Sequence, residues 1–325
     1  MDLSMSPGVM RPLLRLVARW TFASDDWRTI RRRVEATTRF SPLPTGVEVT
    51  ATMLAGQPVE VHSPRPARND AVLLYLHGGG FSTGSPRSHR ALVARLALAC
   101  GVTTYALDYR LAPEYPCPAA LDDVVAAYRA LLQQGWPAHR IVVAGDSAGA
   151  ALTLQLAVAA RDELALPLPA ALGLICPPSE YDIDRLAARP TATTDPVLTA
   201  DLMRRFVSAY TAGSSDPRSL DLGSRDLSGL PPIVIEAAGR DLLVDDAREL
   251  AARAQTCGVE VAYTEHPGQG HVFHIMAGLT AQANRALDEF GRRLRAALDL
   301  AATSPNATAA RPPSPDQAYL RGPSQ

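Results

Sequence analysis

Between residues 71 and 300 the chain alternates short, wholly apolar runs with longer segments whose apolar positions recur at helical spacing. The runs are "AVLLYL" (71–76), "VTTYALD" (102–108), "RIVVAG" (140–145) and "AALGLIC" (170–176), followed by "PIVIEAAG" (232–239) and "VEVAYTEH" (259–266). Helical periodicity falls near 118–134, over 148–162 and 244–257, and from about 277 to 300. Strands that are apolar throughout are buried on both faces, and helices between them supply the cover. The pattern predicts an α/β fold with a mostly parallel central sheet and helices on both sides.

Upstream, residues 11–40 read as two amphipathic helices. Leu13, Leu14, Val17 and Trp20 mark the first; Ser24 is positioned to cap a second that carries Trp27, Ile30 and Val34. Arg31, Arg32 and Arg33 read as its solvated face. A β-rich pair follows around 47–53 and 59–62. Two segments break the rhythm. Residues 178–230 are rich in Pro, Asp, Ser and Thr around one amphipathic helix (199–211), which marks an insertion between two strands. Residues 301–325 offer little to bury and read as a disordered tail.

Composition narrows the function classes. With 47% hydrophobic and 20% charged residues, the 325-residue chain can bury a sizeable core. A net charge of -1 gives no general attraction for nucleic acid or anionic lipid. All 32 basic residues are arginine, which is a bias of composition and implies no chemistry. Cys100, Cys117, Cys176 and Cys257 are scattered without a CxxC pair, so reduced thiols are expected and a zinc site is not. Arg11, Arg15 and Arg19 interrupt the apolar stretches near the N-terminus, and no segment is apolar for long enough to span a bilayer. A cytoplasmic protein without stable membrane insertion is the expectation; a homodimer is left open.

The chemistry is signalled by "VVAGDSAGAAL". It sets Gly145-Asp146-Ser147-Ala148-Gly149 between an apolar strand and an apolar helix, the context of a nucleophile elbow. A serine at such a turn is strained, so its neighbours two before and two after must be small. The helix behind it aims unpaired N–H groups at the reacting centre. A hydroxyl needs a base to take its proton and a third group to orient that base, in the chain order Ser, acid, His. Downstream of Ser147 the histidines are His266, His271 and His274. His271, in the loop "HPGQGHVFH", is favoured because His266 still belongs to a strand and His274 begins a helix. Asp241 follows "PIVIEAAG" and is the preferred acid; Asp245 and Asp246 fall in a first helical turn, where they suit the dipole. "HGGGF" (77–81) leaves bare backbone after another strand, as an oxyanion hole requires; Ala148, which follows the nucleophile, is one expected donor, and the loop from His77 to Gly80 is expected to supply the others. Neither GK[ST] nor G-x-G-x-x-G is present to bind a phosphate.

These motifs, together with "DYRLAPEYPCPAALDD" (108–123) and "GQGHVF" (268–273), resemble the hormone-sensitive-lipase-like family of α/β-hydrolases, the bacterial carboxylesterases with an HGGG signature. The resemblance runs over roughly 70–300. It implies the α/β-hydrolase fold with a helical cap, a Ser147–His271–Asp241 triad, an oxyanion hole from Gly78, Gly79 and Ala148, and no cofactor or metal. The implied division is 1–45 as N-terminal cap helices, 46–177 and 231–300 as the two parts of the core, 178–230 as the cap insertion and 301–325 as the tail. Asp108, Arg110 and Glu114 are assigned no chemistry. Ala150 replaces a customary glycine, a change expected to be tolerated; Leu242 follows the acid, Cys117 stands where an aromatic is usual, and "PPSEYDID" is atypical, so that an unusual wall of the acyl pocket is expected there. The expected activity is hydrolysis of short- to medium-chain carboxylic esters, small-molecule substrates, through an acyl-enzyme. The alternatives are a lactone hydrolase, an amidase or an acyltransferase with the same triad, or a non-catalytic ligand-binding protein.

Overall fold

A computed structural model describes residues 7–179, 181–212, 222 and 224–303, with the backbone alone for residues 7–10. In chain order the elements are α1 (Pro7–Phe22), α2 (Trp27–Thr38), β1 (Val47–Leu54), β2 (Gln57–Pro64), β3 (Arg68–Leu76), α3 (Arg90–Cys100), β4 (Val102–Leu107) and α4 (Ala119–Gln133). Then come β5 (Ile141–Asp146), α5 (Ala148–Asp162), β6 (Ala171–Ile175), α6 (Ile183–Ala187), α7 (Ala200–Thr211), β7 (Ile233–Ala238), α8 (Val244–Thr256), β8 (Val261–His266) and α9 (Ala281–Thr303). The strands form one sheet in the order β1-β2-β4-β3-β5-β6-β7-β8. β1 and β2 pair antiparallel, β2 meets β4 antiparallel, and every pairing from β4 to β8 is parallel. This is the α/β-hydrolase architecture.

Alternation along each apolar run explains the layering. Side chains point to opposite faces in turn. Val72, Leu74 and Leu76 therefore join one core, with Leu121 and Val124 of α4, Leu152 of α5 and Leu250 of α8. Ala71, Leu73 and Tyr75 join the other, against Leu92 and Leu96 of α3 and Leu287 and Phe290 of α9. Helix α5 is buried from Ala148 to Ala160, as an all-round apolar helix must be.

Several local expectations are corrected. The strand–helix series omits α3, whose "ALVARLALAC" is nearly continuous in apolar residues and lacks a polar stripe; its stop signal is Gly101, a left-handed C-cap whose N–H donates to Ala97 O. Asp26, not Ser24, caps α2, because its carboxylate accepts from both Arg28 N and Thr29 N. Helix α9 starts at Ala281, and His274 sits before it in a 3₁₀ turn (Phe273–Met276). Of the expected tail, 301–303 extend α9; residues 304–325 lie outside the described residues.

The N-terminal helices and the insertion meet above the sheet's C-terminal edge. Thr199 caps α7, accepting from Leu202 N at 3.2 Å, which sets Leu202, Phe206 and Tyr210 on one buried face. Phe206 takes Phe22 edge-on at 5.9 Å and Trp27 at 5.8 Å. Each such aromatic pair adds about 0.5–1.5 kcal/mol to the burial itself. Arg31 is not a solvated side chain: it donates to Ser82 O (2.8 Å) and Ala112 O (2.7 Å) and pairs with Glu114, tying α2 to the glycine loop. Glu114 thus has a structural task. Leu13 and Trp20, in contrast, are 46% and 50% exposed, so α1 buries less than its sequence suggests.

Candidate active site

Ser147 stands between β5 and α5 at φ 51°, ψ -118°, a region that non-glycine residues avoid. Phe81, Cys176 and Val272, beside it, also have positive φ (58°, 48° and 44°). Such residues cost about 1–3 kcal/mol each and persist where packing over-determines them. Ser147 N–H donates to Ile175 O at 2.8 Å, which fastens the turn to β6. A methyl group on Gly149 would overlap the Leu76 carbonyl, so the elbow requires glycine there for contact with β3.

The ends of β5, β7 and β8 bring three side chains together. Ser147 Oγ lies 2.9 Å from His271 Nε2, and His271 Nδ1 lies 2.8 Å from Asp241 Oδ2. With the Nδ1 proton donated to Asp241, Nε2 is left as acceptor for the serine hydroxyl. Asp241 is itself held by Leu243 N–H on Oδ1 (2.9 Å) and is 1% exposed. Burial alone would push His271 down, but the charge of Asp241 and its hydrogen bond, with Asp195 behind it, hold the imidazole above its ordinary pKa. His266 and His274 turn to Glu236 instead. Asp245 pairs with Arg248. Asp246 does more than favour a helix dipole: wholly buried, it pairs with Arg189 and accepts from Ser179 N–H, joining α8 to the insertion.

Asp195 was not singled out by the sequence. Its Oδ1 accepts from Val197 N (2.7 Å) and Leu198 N (2.9 Å), and its Oδ2 from Leu242 N and His271 N (both 3.2 Å). One carboxylate therefore links the insertion to the acid loop and to the histidine loop. Burial and the charge of Asp241 push its pKa up to about 6, against the opposing pull of His271 and the N–H donors. The local signal was "TDPV", a turn in which Asp bonds its own backbone; the two distant partners have no local signature.

The glycine loop also differs from expectation in one donor. Gly78 N–H is committed to Asp146 Oδ1 at 3.0 Å, which also accepts from Tyr75 OH at 2.7 Å. Burial opposes charge on Asp146, but His89 and Tyr75 outweigh it and keep the carboxyl below its usual range. Gly79 and Gly80 N–H make no hydrogen bond among the described residues, and Ala148 opens α5, where an amide has no intrahelical acceptor. The available donors are thus Gly79, Gly80 and Ala148. A Cβ on Gly80 would collide with the Phe206 ring, so glycine lets α7 close over this loop. Between them runs a cavity of about 180 Å³, with Ser147, His271, Gly79 and Gly80 at the polar end and Leu198, Met203 and Phe206 in its walls.

A serine, histidine and aspartate are thus joined in line on this sheet, beside amides that meet no acceptor among the described residues, and residues 73–275 match the alpha/beta hydrolase fold family. The chain belongs to that family and is a carboxylic ester hydrolase of the hormone-sensitive-lipase type. It is 44% identical over 238 residues to an acetyl-hydrolase of Streptomyces hygroscopicus, covering 72% of this chain and 78% of the relative. A carboxylesterase of Mycobacterium tuberculosis is 35% identical over 254 residues, 74% of this chain and 79% of the relative. The crystal structure of a hormone-sensitive lipase from a metagenome library superposes with a TM-score of 0.86 at 35% identity, covering 91% of this chain and all (100%) of that one. An esterase of the bacterial hormone-sensitive lipase family gives 0.82 at 34% identity, over 91% and 99%. Among the described residues no helix is long and apolar enough to cross a membrane.

Proposed function

We propose that this protein hydrolyses short- to medium-chain carboxylic esters through an acyl-enzyme on Ser147. The observation that carries the reading is the pair of contacts at 2.9 and 2.8 Å that joins Ser147, His271 and Asp241. His271 Nε2 takes the hydroxyl proton as Oγ attacks the ester carbonyl. The tetrahedral oxyanion accepts from Gly79, Gly80 and Ala148 N–H. Collapse breaks the C–O bond to the alcohol, which leaves with the proton from His271. Water then gives a proton to Nε2, attacks the acyl carbon, and the acid departs as the proton returns to Ser147. Asp241 keeps the imidazole in the required tautomer and stabilises the imidazolium. We also assign α1, α2 and residues 178–230 to a cap that excludes water from the cleft.

A p-nitrophenyl ester series tests the substrate class. Each methylene buried in the apolar cavity is worth about 0.8 kcal/mol, or roughly fourfold in kcat/KM. The value should climb with acyl length until the chain meets the wall of Leu198, Met203 and Phe206, then fall. A series that keeps rising to long-chain esters, or a lactone or anilide turned over faster than every ester, would sink the reading.

The pH profile follows from the base. Only neutral imidazole accepts the serine proton, so kcat/KM is lost as pH falls through the His271 pKa. Because Asp241 and Asp195 hold that pKa up, the acid limb should lie above the value of about 6.5 for a free histidine. Asp195→Asn removes one negative charge and should move the limb to lower pH. An unmoved limb would leave Asp195 with a purely structural part.

A further inference from the structure

Glu236, His266 and His274 lie together beneath the loop that carries His271 and have no part in the chemistry above. Glu236 is on β7, its side chain wholly buried; His266 ends β8 with its side chain 25% exposed; His274, in the 3₁₀ turn, is wholly buried. One ligand atom from each lies within 4.8 Å of the other two. Glu236 Oε2 is bonded to His266 Nε2 and sits 3.9 Å from His274 Nε2. Glu236 Oε1 and both ring nitrogens of His274 are buried with no hydrogen-bond partner among the described residues. Interior polar atoms left unpaired are rare and ask for an unrecorded partner.

We propose that these three side chains bind a divalent transition-metal ion of the zinc class. Two imidazoles and a carboxylate suit Zn²⁺, whereas Mg²⁺ and Ca²⁺ call for sets of oxygen ligands. Metal–ligand bonds of about 2.0–2.2 Å need donors that converge more closely than the present spread, so the side chains close around the ion by small rotations. The ion replaces the hydrogen bond between His266 and Glu236, whose proton leaves to solvent, and water completes a tetrahedral set. Its way in is past His266, the exposed member, on an edge strand of the sheet. Phe273 covers both rings, with centroids 5.1 Å from His266 and 4.1 Å from His274.

The placement gives the ion a purpose. His266 and His274 stand on either side of His271 in the sequence, and Glu236 belongs to the strand that leads to Asp241. A bound ion pins both ends of the histidine loop to β7 and so braces the base against its acid, without touching substrate. A second cluster, Cys176 with Asp241 and His271, also has ligand atoms within 4.8 Å, but an ion there occupies the triad and inhibits.

The full-length protein, stripped with a chelator, should bind one Zn²⁺ per chain by titration calorimetry, with a higher Tm and retained esterase activity. Glu236→Gln, which keeps the side-chain volume, and His266→Gln should each weaken zinc binding by more than about tenfold and remove the rise in Tm. Cys176→Ser should leave binding unchanged. No binding by the stripped wild type would show a hydrogen-bonded cluster only and overturn the proposal. So would zinc binding that survives both variants, or that disappears in Cys176→Ser with activity lost as the site fills.

Discussion

Ser147→Ala should lower kcat toward a p-nitrophenyl ester by on the order of 10⁵–10⁶-fold while leaving the melting temperature nearly unchanged. The loss is large because nucleophile, base and acid act as one unit: without Oγ, the imidazole and the amides have no covalent step to assist. Residual turnover would come from water held against the oxyanion donors. Stability should hold because, among the described residues, Ser147 Oγ bonds only His271, and alanine meets the same positive φ that serine already tolerates. A serine-reactive phosphonate followed by peptide mapping should label Ser147 in the wild type. A stable adduct on another serine, with Ser147 unmodified, would refute the assignment.

The next largest effect is expected at the acid. Asp241→Asn should cost about 10⁴-fold in kcat, because an amide can present N–H to Nδ1 and stabilise the wrong tautomer. Asp195→Asn should cost less, about 10²-fold, through displacement of the histidine loop. There the new NH₂ must face either the paired amides of Val197 and Leu198 or those of Leu242 and His271, all of them donors. Asp246→Asn should lower stability with little effect on turnover, since Asp246 serves the buried pair with Arg189. The order of the three kcat values is the test. A loss at Asp195 as great as that at Asp241 would make the two carboxylates joint orienters, and a loss confined to Asp246 would move the acid to α8.

The alternation of apolar runs and amphipathic segments was enough to specify a parallel sheet with helices on both faces, because strand burial and helix periodicity are local properties. Steric need at the elbow is local too: Gly145 and Gly149 flank Ser147 within one turn, so "GDSAG" is readable without coordinates. The same holds for the placing of Asp241 and His271 in loops at the carboxyl ends of strands. Helix α3 escaped detection because burial on all sides erased the stripe that marks an amphipathic helix.

Only the fold decided which groups those residues meet. Gly78 commits its N–H to a carboxylate 68 positions away, whereas Gly79 and Gly80 N–H meet no acceptor among the described residues. Asp195 reaches His271 across 76 positions and Arg31 reaches Ser82 across 51. Glu236, His266 and His274 converge because β7 and β8 pair in register, Ala238 opposite His266. Hydrogen-bond acceptance and charge pairing depend on distance in space, whereas a sequence records distance along the chain. Local sterics and hydrophobic period therefore determined the scaffold and the elbow that carries Ser147; the assembly of long-range polar contacts around that serine was settled by tertiary packing.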